Sequence, residues 1–301
     1  MKTTNEIIRQ ASQLGMVVPG FNVPYLPMAK PIIQAIVDQD AFALLEVARL
    51  ELIKFEARSL AAVAEEFNRW GRPDFVRLHL DHVPVIDEDG KHVDYLAVIK
   101  EALGLSFQSV MVDGSRLDLA GNIQATHQVV EMAHETGVPV EAELGAVMGH
   151  EAGPLPPYEE LFKSGRGFTD PQEATRFVKE SGCDWLSVAI GNIHGAVSVA
   201  TRDQKKVEAR LNLEHLDRLR QATGIPLVLH GGSGVNQDNV LAAIRRGIAK
   251  VNVGTEIRQA YETALRKTGS VAGAQQATYE RTSWVIKDYF GINGQRARLL
   301  G

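Results

Sequence analysis

Eight short runs rich in Val, Ile and Leu recur along the chain, each separated from the next by a longer stretch with helical spacing. They cover residues 17–21, 42–47, 75–80, 109–112, 139–143, 185–190, 226–229 and 250–253. Short strands alternating with helices build parallel sheets, and eight such units are what a closed barrel takes. Runs apolar at successive positions, such as Trp185-Leu186-Ser187-Val188-Ala189-Ile190, suit strands covered on both faces. The 301 residues, 45% of them hydrophobic, are enough for one large core. The reading is an α/β chain folded as one (β/α)8 TIM-barrel domain over 1–301, with a doubly wound open sheet as the competing topology.

Helix signals fill the intervals. Thr3-Thr4-Asn5-Glu6 offers a capping box, and Thr169-Asp170-Pro171-Gln172 offers another with Pro171 near the first helical position. Gly104, Gly137, Gly182, Gly224 and Gly247 each follow a helical pattern and precede a strand, where a left-handed residue is wanted. Residues 148–170, after the fifth run, form the longest loop in this reading, and about 256–301 form a C-terminal helical extension. Long loops in compact domains often serve as lids or binding loops.

Charge and composition exclude several partners. A formal net charge of −5 leaves no basic excess to attract nucleic acid or an anionic membrane. No apolar run approaches the roughly 20 residues needed to span a bilayer. The single cysteine, Cys183, rules out an internal disulfide framework, and Lys2, Glu6 and Arg9 make the first stretch unlike a signal segment. These features describe a soluble cytoplasmic protein acting on a small molecule.

Barrel enzymes carry their chemistry at the carboxyl ends of the strands. Here those ends hold Asn22, Glu46, Asp81 and His82, Asp113, Glu143, His194, His230, and Asn252 with Thr255. Singly, His82, His194 and His230 each read as a core or loop histidine. Three from separate strand ends on one face suit a catalytic zinc with open positions for substrate. Strand alternation sets His79 a layer deeper than Asp81, where a structural or supporting duty fits better than ligation. The turn Gly231-Gly232-Ser233-Gly234 has Val235 where a serine nucleophile elbow requires glycine, so it reads as a backbone nest for phosphate beside Gly254 and Thr255. A Schiff-base route needs an inward lysine at a strand end. Lys250 begins its run and Lys163, Lys205 and Lys206 lie between runs, so the metal route is preferred.

These residues together resemble the class II, zinc-dependent ketose-bisphosphate aldolases, the fructose- and tagatose-bisphosphate enzymes among them. The resemblance spans nearly the whole chain. It is carried by Gly20-Phe21-Asn22, Leu78-His79-Leu80-Asp81-His82, Val112-Asp113-Gly114-Ser115, Val140-Glu141-Ala142-Glu143-Leu144-Gly145, Gly191-Asn192-Ile193-His194-Gly195, His230-Gly231-Gly232-Ser233-Gly234 and Lys250-Val251-Asn252-Val253-Gly254-Thr255. It implies that His82, His194 and His230 bind one zinc ion per subunit, with Glu143 supporting a ligand histidine. Asp81 would exchange the proton of the acceptor oxygen. Glu151 would exchange the proton at the dihydroxyacetone phosphate carbon. Asn252 would hold the enediolate, and Gly195, Gly231, Ser233, Gly254 and Thr255 the phosphate. A monovalent cation as a second ion and assembly as a homo-oligomer, dimer or tetramer, are further implications.

Departures from the family pattern gather on the acceptor side. Glu46-Val47-Ala48-Arg49 stands where Gln-x-Ser is usual, Arg116 stands where a histidine is common, and the C-terminal Asp-Pro-Arg is missing, with residues 272–277 in roughly its place. Met148 and Ala152 interrupt the run around Glu151. These changes predict an acceptor aldehyde without the usual distal phosphate, non-phosphorylated or carboxylated, met by Asn22, Arg49 or Arg116. A TIM-barrel metal-dependent hydrolase and a non-catalytic sugar-phosphate binder are the alternative readings.

Overall fold

The computed structural model of the chain describes residues 2–145, 157–192, 209–232 and 235–301. Eight parallel strands close into one barrel in sequence order: β1 (Val18–Asn22), β2 (Ala43–Ala48), β3 (Val76–Pro84), β4 (Ser109–Asp113), β5 (Val140–Leu144), β6 (Trp185–Val188), β7 (Leu227–Leu229) and β8 (Ile248–Val253). The last strand pairs with the first, Gly20 opposite Asn252, so the sheet has no free edge. The open-sheet alternative is thereby excluded. All eight strands fall on the apolar runs, because strands buried on both faces must be apolar at nearly every position.

Helices alternate with the strands as the spacing requires. They are α1 (Thr4–Leu14), α2 (Ala29–Asp38), α3 (Arg49–Lys54), α4 (Leu60–Trp70), α5 (Tyr95–Gly104), α6 (Leu119–His134), α7 (Tyr158–Ser164), α8 (Pro171–Ser181), α9 (Leu213–Thr223), α10 (Gln237–Arg245), α11 (Thr255–Thr268), α12 (Val271–Trp284) and α13 (Arg296–Leu300). α1 does not belong to a β/α unit. Its Ile7, Ile8 and Ala11 join Trp185, Val228 and Leu299 in a buried cluster that plugs the amino end of the barrel. α12 packs on α11 and α2, and Val285–Tyr289 winds it into a π-helical turn.

Three local expectations need correction. The residue capping α8 is Asp170, whose carboxylate accepts from Gln172 N and Glu173 N. Thr169 is instead buried, its hydroxyl donating to Leu144 O and accepting from Ala189 N. Gly137, Gly182, Gly224 and Gly247 do take positive φ, but Gly104 is the last residue of α5 and Ser106 takes the left-handed position with φ 63°. Within the stretch read as a loop over 148–170, α7 occupies the second half.

The barrel interior departs from the usual filling of branched aliphatics. Its middle layer holds Glu46, His79, Ser109, Glu141, Ser187 and Lys250, all with no exposed surface. Gly20 exists to make room for one of them. A Cβ built on Gly20 would lie 2.1 Å from Glu46 Oε2. Gly20→Ala should therefore cost about 1–3 kcal/mol through overpacking. Gly104→Ala meets nothing within 4 Å at a helix end and should gain about 0.5–1 kcal/mol. Urea unfolding of the two variants checks the opposite signs.

Candidate metal and substrate site

In a regular strand Asp81 and His82 would point to opposite faces. β3 breaks that rule. Its pairing with β4 slips between Leu80 and Val83, and His82 takes φ 30°, a costly backbone for a residue with a Cβ. A bulge of this kind re-aims a side chain. Here it brings the Asp81 carboxylate and the His82 imidazole to the same mouth, where His230 at the end of β7 completes a set of three ligand atoms within 4.8 Å of one another.

His82 Nε2 and His230 Nδ1 lie 2.6 Å apart, a separation at which two imidazoles share one cation, a proton or a metal. Behind each stands a carboxylate. His230 Nε2 meets Glu141 Oε1 at 2.8 Å, and His82 Nδ1 lies 3.7 Å from Asp113 Oδ2. At His230 this is the arrangement that fixes the tautomer and orientation of a metal-binding histidine, and at His82 the carboxylate stands at ion-pair distance. Burial would depress the His82 pKa, but Asp81, Asp113 and Glu143 outweigh it and lift it to about 10. Burial, and then the charge at His82, lower that of His230. The pocket thus stabilises positive charge between the two rings, and these donors fit a divalent ion. His194, the third implied ligand, lies outside the described residues, as do Glu151, Gly195 and Ser233.

Asp81 is almost completely buried and each of its oxygens accepts an amide N–H. Asn252 Nδ2 donates to Oδ1 at 2.9 Å and Asn22 Nδ2 donates to Oδ2 at 3.0 Å. Burial would raise its pKa, but the charges at His82, Lys250 and His230 hold the carboxyl well below the usual range. Asn22 also approaches Glu51 Oε2 at 3.5 Å, and that oxygen accepts from Ala48 N at 2.9 Å. Burial pushes the Glu51 carboxyl up to about 8. Sequence reasoning missed Glu51. Its signal was position, the third residue of a short helix after β2, from which a glutamate reaches back to the strand end.

Two strand-end expectations shift by a layer. Glu46 does not reach the mouth; it pairs across the sheet with His79 and lies 3.3 Å from Lys250 Nζ. Lys250 does not begin its strand, since β8 starts at Ile248, and it points into the barrel. The carboxylate behind His230 is Glu141. Glu143 stands on the other side, 3.8 Å from His230 Nδ1, where it, Asp113 and His82 make a second set of donors spaced for an ion. His79 lies deep as expected, Nδ1 2.9 Å from Ser109 Oγ, with its pKa driven down to about 3 by burial and then Lys250.

Gly231 takes φ 68° after β7, and Gly254 caps α11 with Thr255 as its first residue. The first-turn N–H groups of a 14-residue helix have no intrahelical acceptors and favour an anion. A Cβ at Gly254 would sit 3.0 Å from Asn22 Oδ1, so this turn borders the Asp81 cluster. Arg49 and Arg116 converge on the loop after β3. Arg49 Nη1 lies 3.9 Å from Asp87 Oδ2, too long for a hydrogen bond, and Arg116 Nη1 donates to Asp87 O at 2.9 Å.

The profile of the family described as class-II fructose-bisphosphate aldolase matches residues 2–292. A fructose-bisphosphate aldolase of Streptococcus pneumoniae is 33% identical over 98% of this chain and 92% of its own length. One from Streptococcus pyogenes serotype M1 is 32% identical over 92% of this chain and 87% of its own. Among solved structures, the YdjI aldolase of Escherichia coli K12 superposes with a TM-score of 0.76 at 28% identity, covering 98% of this chain and 100% of that one.

His230→Ala should lose tightly held zinc, because it removes one of two convergent ring nitrogens. Glu141→Gln keeps an acceptor for His230 but loses the charge, and should weaken zinc by about 10–100-fold. Competition against a chelating dye measures both.

Proposed function

The chain belongs to the class-II fructose-bisphosphate aldolase family, and from that premise we propose that it makes and breaks a ketose 1-phosphate through the enediolate of dihydroxyacetone phosphate. Class II aldolases are aldehyde-lyases, so the hydrolase and non-catalytic readings fall away. The observation that carries the proposal is the convergence of His82, His230 and Asp81, with one asparagine amide on each Asp81 oxygen. Zinc, when bound by His82, His230 and the implied His194, supplies a Lewis acid that polarises the ketone oxygen and favours loss of a neighbouring proton.

The chain's own groups do the rest. Asp81, ionised and held by two amides, takes the acceptor hydroxyl proton in cleavage and returns it in condensation. Its fixed position matters because proton transfer requires hydrogen-bond reach in the reacting complex. Asn252 presents its amide to the enediolate beside Asp81. Glu151, which follows β5 in the sequence, exchanges the carbon-bound proton. Phosphate sits on the Gly231 turn and the α11 amino end at Gly254 and Thr255, with Gly195 and Ser233 as the remaining donors; a monovalent cation belongs beside that phosphate.

The acceptor is the finer part of the proposal. Ala48 offers no hydroxyl to a distal phosphate, and the buried acid Glu51 lies beside Asn22 on that side. Two arginines from different strand ends, Arg49 and Arg116, gather instead around Asp87. An aldehyde without a distal phosphate, neutral or carboxylated, suits these groups. The same reading carries a cytoplasmic setting and assembly as a homodimer or homotetramer, which sedimentation of the purified chain reads directly. Among the described residues no helix is long and apolar enough to cross a membrane.

Zinc-loaded protein should exchange one proton of the hydroxymethyl carbon of dihydroxyacetone phosphate with D2O, a half-reaction that needs no acceptor and is followed by proton NMR. Absence of exchange would sink the aldolase mechanism. Asp81→Asn should keep that exchange yet lose about 10²–10⁴-fold in cleavage. In a screen of aldehydes, Arg49→Ala and Arg116→Ala should raise KM for carboxylated acceptors and leave neutral ones unchanged. Fructose 1,6-bisphosphate cleaved with ordinary efficiency would overturn the atypical acceptor.

A further inference from the structure

Directly beneath the site, Lys250 is buried without any exposed surface. Its Nζ donates to Asn252 Oδ1 at 2.6 Å and makes ion-pair contacts with Glu141 Oε2 at 2.9 Å and Glu46 Oε2 at 3.3 Å. The hydrogen bond to Asn252 is directed, whereas Glu46 receives no directed hydrogen bond on either oxygen and Glu141 none on Oε2. An asparagine amide has two orientations of nearly equal shape that exchange its oxygen and its NH2 group. An ammonium group, three donors and no acceptor, accepts only one of them.

The other neighbour of the amide makes the same choice. With Oδ1 turned down to Lys250, Nδ2 is turned up to Asp81 Oδ1 at 2.9 Å. The flipped amide would set N–H against ammonium and oxygen against carboxylate, two repulsions in a water-free layer. Replacing buried ion pairs by packed aliphatic side chains is often neutral or stabilising, and branched aliphatics are the usual filling of such a barrel. Stability is therefore a weak reason for a lysine here. Its position two residues before Asn252 on the same strand gives a better one.

We propose that Lys250 is a positioning residue that locks the amide of Asn252 with its N–H groups toward Asp81 and the substrate. The inference rests on the reading of Asn252 as the group that holds the enediolate. Lys250 forms no covalent bond with substrate in this role. It acts only through Asn252.

The test is a mutant cycle in zinc-loaded protein, with the dihydroxyacetone phosphate exchange in D2O as the rate. Lys250→Met is combined with Glu46→Gln, so that the ammonium and the acid 3.3 Å from it are replaced by neutral groups together. This pair should lose about 10–100-fold in exchange rate, with KM for dihydroxyacetone phosphate changed less than about threefold and zinc content unchanged. Asn252→Ala should lose a comparable factor. Adding it to the pair should cost nothing more, since coupled residues are non-additive. Losses that multiply, or an unchanged rate in the pair, would overturn the proposal.

Should the pair fail to fold, or the wild-type protein show no exchange, a neutron map of the wild-type protein still decides. The two Asn252 amide deuterons facing Asp81 support the proposal; deuterons facing Lys250 refute it. A wild-type protein without exchange but with the expected deuterons would fail the aldolase reading alone.

Discussion

A lysine ammonium held between two glutamates on the barrel axis is the constraint on which the rest of the site depends. Taking an ammonium and a carboxylate out of water is expensive, and mutual attraction offsets the cost only where geometry is good. Burial would raise the Glu141 carboxyl, but Lys250 and His230 hold it down at about 2, so it stays ionised. Burial drives Glu46 the other way, well above its ordinary range. The layer is thus arranged around Lys250 and Glu141, with Glu46 fitted where Gly20 leaves space. From that pair two lines run upward, one through Glu141 to His230 and one directly to Asn252.

A second cost is carried by the backbone at His82. The register slip in β3 and the positive φ place adjacent residues on one face, which a regular strand forbids. Strain of this kind persists only where surrounding structure over-determines it. Here the determination comes from both sides: Ser109 and Leu80 fix the strand below the slip, and Val83 and Pro84 resume pairing above it. The result is an acid and an imidazole that converge at the same mouth of the barrel, each supported by side chains from other strands.

The fold was legible because barrel strands buried on both faces announce themselves as apolar runs, and the helix caps at Thr3 and the glycines after α8 and α9 follow from local chemistry. Within the site, position at a strand end pointed to Asp81, His82, His230 and Asn252, and period-two alternation set His79 deeper. Alternation could not give the direction of the His82 side chain, which depends on a bulge that no local residue signals. Nor did it give Lys250 its role. Its strand was read two residues short, because Ile248-Ala249 looks like the end of the preceding helix until β7 pairs with it. Glu141 and Glu143 alternate identically, and only the depth of each layer decides which one stands behind His230. Glu51 was hidden because α3 is too short to show a periodicity.

The two halves of the site differ in what holds them. Asp81, His230, Asn252 and Glu141 lie within strands or at their ends, where the barrel register and the Lys250 layer fix them. Arg49 and Glu51 lie on a six-residue helix, and Asp87 and Arg116 lie on loops. Substitution in the second group leaves the barrel pairing untouched, whereas substitution in the first breaks a buried charge network. An acceptor site can therefore change its chemistry while the enediolate machinery stays as it is. The proposed acceptor takes its direction from the charge distribution. An additional acid, Glu51, stands beside Asn22, and positive charge is displaced to the arginines at Asp87. A phosphate dianion there would find no hydroxyl on Ala48 and, in Glu51, a buried carboxyl pushed up to about 8 that offers it no positive charge. The proposed acceptor, a chain of hydroxyls with any anionic group further out toward Arg49 and Arg116, would find a carboxyl and an amide near Asn22 and the two guanidinium groups beyond them.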